Sequence, residues 1–357
     1  MRAASFAMRR RAFLALGPGA VAFSRAARAG EAPANEDGAL TDVRGVTVGH
    51  FTDARRPTGC TAVLVEAGAV GGVDVRGGAP GTREIELLDP VNTVSVVHGI
   101  LLAGGSAFGL DAATGVVRFL EERGVGLRVR SSVIPIVPAA ILFDLEVGDG
   151  RIRPDAAAGY AAARAATTGA VAEGSVGAGT GATVGKMWGM ARAMKGGLGT
   201  ASLRLPDGTV VAALAAVNAF GDVIDEQGRV LAGARSPDGS RLDAALPALL
   251  RGAAPGAALD GRNTTIAVVA TNVPLTKAEA ARVARMAQDG VARAIAPAHT
   301  PVDGDTVFVL SVPRAQQPAT PLVVGTLAAE AVARAIRRGA RRAHPLPGLP
   351  AAGDGIR

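Results

Sequence analysis

Apolar and polar positions along the chain change period several times. Val43, Val46 and Val48 alternate with polar neighbours, and Thr61–Val65 is an unbroken apolar run, so 40–65 reads as extended chain. Val94–His98 is a further strand candidate. It leads through Leu101–Gly109 into a helix over 112–123. Pro135 and Pro138 interrupt the apolar stretch 134–145, which excludes a helix interior there. Residues 156–168 form an Ala-rich helix, 174–185 a glycine-rich loop, and 201–205 and 210–219 two strands. Thr264–Thr271 is almost wholly β-branched or apolar, the composition of a strand buried on both faces. Thr276 with Glu279 three residues on is a capping-box start for the next helix. Thr306–Ser311 is a strand, and 322–342 a long closing helix. The elements follow no regular βαβ rhythm and show no internal repeat. Turn residues between 233 and 263 mark a linker with a short Leu/Ala helix inside it.

Composition narrows the possibilities. The apolar share of 48% supports a substantial core, and aromatics at 3% mean that Ala, Val, Leu and Ile fill it. So few aromatics argue against a base-stacking nucleic-acid platform. A single cysteine, Cys60, rules out an internal disulfide and a zinc site of several thiolates. Four scattered histidines, His50, His98, His299 and His344, leave little for a histidine metal cluster. The formal charge of +7 belongs mostly to residues 1–29, which hold six arginines and no acid, so the remainder carries +1. The basic run Arg334, Arg337, Arg338, Arg341, Arg342 has the spacing of a solvated face on the last helix, with a polyanion site as the alternative.

The N-terminal segment reads as an export signal. Arg10-Arg11-Ala12-Phe13-Leu14 resembles a twin-arginine motif, an apolar stretch runs to Phe23, and Ala27-Arg28-Ala29 is a small-x-small cleavage site. The apolar part is too short to span a bilayer. Residues 1–29 are therefore expected to be a signal peptide of a bacterial periplasmic or secreted protein, with no membrane anchor after its removal.

Three familiar motifs fail on inspection. Gly177-Ala-Gly179-Thr-Gly181-Ala182 fits a loose dinucleotide fingerprint, but a helix precedes it where a strand is required. The same loop ends in Gly185-Lys186 without the anchors of a phosphate loop, having Thr180 and Met187 in their places. Ser106 lacks the closing glycine of a nucleophile elbow.

Asn263-Thr264-Thr265 sits where the linker meets the buried strand. A hydroxyl nucleophile needs a base, and no histidine is close in sequence. Cutting before Thr264 would free its α-amine, whose ordinary pKa of about 7.7–8.0 suits that task. Taken alone, these three residues favour a plain loop-to-strand junction.

The wider pattern decides between the two. Thr264–Asn272 resembles the post-cleavage strand of the P1 peptidase family, which includes L-aminopeptidase/D-esterase enzymes, β-aminopeptidases and nylon-oligomer hydrolases. Leu40–His50, Leu102–Asp111, Gly177–Lys186, Ala216–Asp222 and Asp303-Gly-Asp305 resemble it too, in family order. The resemblance implies an α+β, Ntn-hydrolase-like αββα four-layer sandwich that cuts itself between Asn263 and Thr264. Its large fragment would be 30–263, with the linker 233–263, and its small fragment 264–357 would complete the same domain. The two would form a heterodimer, itself part of a homo-oligomer. Carried over by position, Thr264 is the nucleophile and Asn263 donates the scissile carbonyl. Asn218 stabilises the oxyanion, Lys186 tunes the nucleophile electrostatically, and Asp303 and Asp305 hold that ammonium or orient the hydroxyl. No metal or organic cofactor is implied. Some family members have Tyr where this chain has Phe143, which removes a phenol from the site. The expected reaction is hydrolysis of amide or ester bonds in small amino-acid, peptide or oligoamide substrates through an acyl-enzyme. Acyl transfer of the ornithine acetyltransferase type, and a catalytically silent binding protein of the same fold, are the alternatives.

Overall fold

The computed structural model describes residues 38–256, 262–313 and 319–356. The expected signal peptide lies outside them, as do 257–261 of the linker. Eight strands carry the architecture: β1 (Thr47–Thr52), β2 (Gly59–Val75), β3 (Val96–Ala103), β4 (Ala139–Ile141), β5 (Leu198–Arg204), β6 (Val210–Asn218), β7 (Thr264–Thr271) and β8 (Thr306–Ser311). They pair in the order β5-β6-β7-β8-β2-β3-β4, with β1 also on β2. The principal helices are α1 (Ala112–Glu122), α2 (Ala156–Arg164), α3 (Lys277–Ala294) and α4 (Pro321–Arg342).

Period-two alternation sorts the strand residues into layers. Val211, Ala213, Ala215 and Val217 of β6, with Ala267 and Val269 of β7, pack under α3 and α4. The alternate residues Leu214, Ala216, Ile266, Val268 and Phe308 face the opposite way, meeting Val63, Ile100 and Leu102. The other face of β2 and β3, with Cys60, Ala62, Leu64 and Leu101, lies against α1 and α2. Three cores between four layers make this the α+β αββα sandwich expected of the chain. Both faces of the middle strands are buried, which is why β6 and β7 read as continuous apolar runs.

The two sheets are joined through β2. Its first half pairs with β1 and β3, and its last six residues pair with β8. The sequence conceals this second half because Gly71 and Gly72 break the apolar run. A Cβ on Gly72 would stand 2.4 Å from the backbone of Ala280, so glycine lets α3 lie directly on the strand. Thr276 accepts the N–H of Glu279, whose carboxylate accepts the N–H of Thr276 in return, completing the predicted capping box.

The closing helix differs from its expected solvated face. Arg337 is buried and donates to the carbonyls of Ile224 and Arg293. Arg334 pairs with Glu330, Arg338 with Glu173 and Arg341 with Glu226. Small residues between the arginines let both sides of α4 pack, and the long stems reach acceptors at its rims. The described part of the linker also packs. Asp222 accepts the N–H groups of Ala234 and Ala245, and a short helix, Ala245–Leu250, buries Ala245 and Ala248 beside Met187. Among the described residues no helix is long and apolar enough to cross a membrane.

Candidate active site

Register brings the predicted residues together at one end of the sheet. β7 is an interior strand, antiparallel to β6 with Thr264 opposite Asn218, and parallel to β8 with Ile266 opposite Thr306. The loop before β8 crosses the same end, where Asn263 bridges to Asp303. Lys186 arrives on the turn after the short strand Thr183–Val184. Thr264, Asn218, Asn263, Asp303, Asp305 and Lys186 are all buried.

Two groups converge on the carbonyl oxygen of Asn263. The Thr264 hydroxyl donates to it from the next residue, and the Gly304 N–H donates from across the strand end at 2.8 Å. Gly304 has no room for a side chain. A Cβ there would lie 2.8 Å from Thr264 Oγ1 and 2.5 Å from the carbonyl oxygen of Ala79.

Lys186 sits among neutral oxygens. Its Nζ donates to Asn218 Oδ1 at 2.9 Å, the Asn218 carbonyl at 3.1 Å and the Arg262 carbonyl at 3.2 Å. Burial lowers its pKa from 10.5 to about 7, against the opposing pull of Asp303 and Glu146. A neutral amine is therefore accessible to it at physiological pH. Asn218 is fully used as well. Oδ1 also accepts the Thr183 N–H at 3.0 Å, while Nδ2 donates to the carbonyls of Phe143 and Arg262 at 3.0 and 3.2 Å.

Of the two roles expected of the aspartates, holding the Lys186 ammonium has no hydrogen bond behind it. Among the described residues neither is hydrogen-bonded to Lys186; both bind backbone amides instead. Asp303 accepts the N–H groups of Phe220 and Thr300, each at 3.1 Å, and the Thr300 hydroxyl. Its pKa is raised to about 6 by burial and by the neighbouring Asp305. Asp305 accepts the Thr265 N–H on Oδ1 at 2.7 Å and faces His299 with Oδ2. Both carboxylates are thus held by N–H donors at the strand ends around Thr264, and Asp305 also by the His299 ring.

A small cleft reaches Lys186, lined also by Phe143, Glu146, Thr183, Met190 and Arg262. Arg262 pairs with Glu146, and its guanidinium lies 5.9 Å from the centre of the Phe143 ring. The Phe143 ring thus forms an apolar wall of the cleft. Sequence reasoning passed over Gly304, His299, Arg262 and Glu146. The Asp303-Gly-Asp305 spacing was the signal for Gly304, since a glycine between two buried acids marks a close backbone approach. No group of three or more His, Cys, Asp or Glu among the described residues is arranged to hold a metal.

The αββα sandwich is of the Ntn-hydrolase type of fold. The L-aminopeptidase D-Ala-esterase/amidase of Ochrobactrum anthropi, a variant of that fold, superposes with a TM-score of 0.66 at 21% identity, over 89% of this chain and 91% of its own. A Burkholderia β-aminopeptidase superposes with a TM-score of 0.64 at 22% identity, over 87% and 88%. In sequence, a Mycobacterium bovis protein named as an uncharacterised aminopeptidase is 46% identical over 341 residues, 87% of this chain and 96% of its own. The 6-aminohexanoate-oligomer endohydrolase of Paenarthrobacter ureafaciens is 32% identical over 285 residues, 78% of this chain and 76% of its own. Residues 38–351 match peptidase family S58, and the chain belongs to that family. Its activity is accordingly that of an aminopeptidase or related amidohydrolase.

Proposed function

We propose that this hydrolase activates itself by cutting between Asn263 and Thr264 and then works through the N-terminal threonine so produced. The observation that carries the reading is the convergence of the Thr264 hydroxyl and the Gly304 N–H on the Asn263 carbonyl. In the first reaction Thr264 Oγ adds to the Asn263 carbonyl carbon, and the Gly304 amide supports the negative oxygen. The C–N bond breaks, nitrogen keeps the electron pair and takes the hydroxyl proton, and an ester joins Asn263 to Oγ. Water opens the ester, giving an Asn263 carboxylate and a free Thr264 amine and hydroxyl.

In the second reaction that amine takes the proton from Oγ as the oxygen attacks a substrate amide or ester. The leaving amine or alcohol departs with the proton, and water releases the acyl group. In the uncut chain Asn218 Nδ2 donates to the Phe143 and Arg262 carbonyls; once the cut releases the Arg262 end, it is the donor for the substrate oxyanion. Lys186 suits electrostatic tuning of the Thr264 amine and hydroxyl. The substrate class is small peptides, amino-acid amides or esters, and oligoamides. The two fragments stay together through β7, which pairs with β6 of the large fragment on one side. Residues 1–29 direct twin-arginine export to the periplasm, and the heterodimers assemble further into a homo-oligomer.

Intact-mass and N-terminal sequencing of the purified protein test the reading. Wild type should yield a fragment beginning at Thr264 and hydrolyse amino-acid p-nitroanilides. Thr264→Ala should stay one chain and be inactive, whereas Thr264→Ser should still be cut. Full hydrolytic activity from an uncut chain overturns the mechanism.

A further inference from the structure

His299 is a titratable side chain beside the site that neither reaction uses. It lies in the loop before β8 with φ +56, a left-handed conformation that L side chains seldom adopt. Its ring spans two acceptors. Nδ1 is 2.9 Å from Asp305 Oδ2, and Nε2 is 3.4 Å from the Gln288 carbonyl on α3. Its backbone N–H gives Asp305 Oδ2 a second bond at 3.1 Å. The other oxygen of that carboxylate takes the Thr265 N–H. Since both ring nitrogens face acceptors, the protonated ring is the form that donates to both. Burial opposes that charge, and so does Arg76 just beyond β2. The hydrogen bond and charge of Asp305 outweigh them and raise the pKa.

We propose that His299 is a positioning residue for the Thr264 chemistry: it clamps Asp305 so that the carboxylate pins the Thr265 N–H, and with it the peptide plane from which Thr264 projects. The Thr264–Thr265 peptide is bonded directly to the Thr264 Cα, so its orientation sets where Oγ points. A displacement of about 1 Å at a reacting atom is enough to cost roughly 100-fold in rate. His299 thereby couples α3, through Gln288, to the reacting end of β7. The proposal rests on Thr264 as the reacting group.

Two substitutions that suit a left-handed backbone separate the clamp from mere loop structure. His299→Gly removes the ring without strain. His299→Asn keeps an amide N–H near the position of Nδ1. The readouts are the self-cleavage rate and the kcat and KM for an amino-acid p-nitroanilide, with circular dichroism to confirm folding. His299→Gly should lose about 10–100-fold in self-cleavage and kcat with KM within about threefold, and added imidazole should recover part of it. His299→Asn should remain within about fivefold of wild type. Wild-type rates for His299→Gly, or equal impairment of both variants without imidazole rescue, overturn the clamp. Thr264→Ala is run alongside. If it retains activity, the Thr264 reading falls; if it is inactive while His299→Gly is unimpaired, only the clamp falls.

Discussion

Lys186→Met isolates the free energy of burying an amine at this site. It is best made together with Thr264→Ala, so that unfolding is followed in a single uncut chain. The folded Lys186 has a pKa of about 7 against 10.5 for the exposed group. Each unit is about 1.4 kcal/mol, so below pH 7 holding the charged amine costs the fold roughly 5 kcal/mol. The direction of the pH dependence follows from proton counts. Between pH 7 and 10.5 the unfolded chain keeps the proton that the folded chain has released, so Lys186 makes stability rise with pH. From pH 7 to 9 that rise is about 2–3 kcal/mol. Methionine has similar length and no such cost. It withdraws one donor each from Asn218 Oδ1, the Asn218 carbonyl and the Arg262 carbonyl. Oδ1 keeps the Thr183 N–H, and the Arg262 carbonyl keeps Asn218 Nδ2. These losses are worth about 1–3 kcal/mol together. The double variant should therefore be more stable than Thr264→Ala alone by about 2–4 kcal/mol at pH 6, and the advantage should shrink by about 2–3 kcal/mol from pH 7 to 9. Lys195, also lowered to about 7 by burial, is present in both proteins and cancels to first order. Urea titrations at pH 6, 7, 8 and 9 measure this, read by the fluorescence of Trp188, the single tryptophan and two residues from Lys186. A stability difference independent of pH, or a double variant less stable at pH 6, refutes the reasoning. In the Thr264 chain the same Lys186→Met change should slow self-cleavage severely, the stability–activity trade-off of a group kept for its chemistry.

Three other outcomes are expected. Gly304→Ala should slow self-cleavage by about 100-fold or more, because the new Cβ would crowd Thr264 Oγ1 and shift the amide that supports the Asn263 oxygen; a gel time course with wild-type processing contradicts this. Asn218→Ala should lower kcat by about 100-fold with KM little changed, and a folded variant with normal kcat removes Asn218 from the oxyanion role. Replacing Arg10 and Arg11 by lysine should leave the precursor in the cytoplasm; unchanged recovery of processed protein from the periplasm removes the twin-arginine assignment.

What the chain declares locally, it declares well. β7 and β8 have the bounds that their apolar runs imply, α3 starts at the capping box of Thr276, and α4 ends at Arg342. Thr264 stands out because a hydroxyl residue opens a strand with no polar position in its middle, and burial of both strand faces writes that pattern directly into the sequence. Tertiary structure decided the rest. Hydropathy records how deeply a residue is buried and says nothing of which atoms meet it there. Lys186 meets carbonyls and an amide oxygen, because the turn after Val184 delivers it to the end of β6. Asp303 and Asp305 went to backbone N–H groups, since those donors are freed where strands end. Arg337 was spaced for solvent and is buried where its guanidinium reaches the carbonyls of Ile224 and Arg293. His299 and Gly304 gained their places only when a loop more than thirty residues downstream closed over Thr264. Their roles depend on hydrogen bonds between distant segments, and a one-dimensional period cannot encode such pairings.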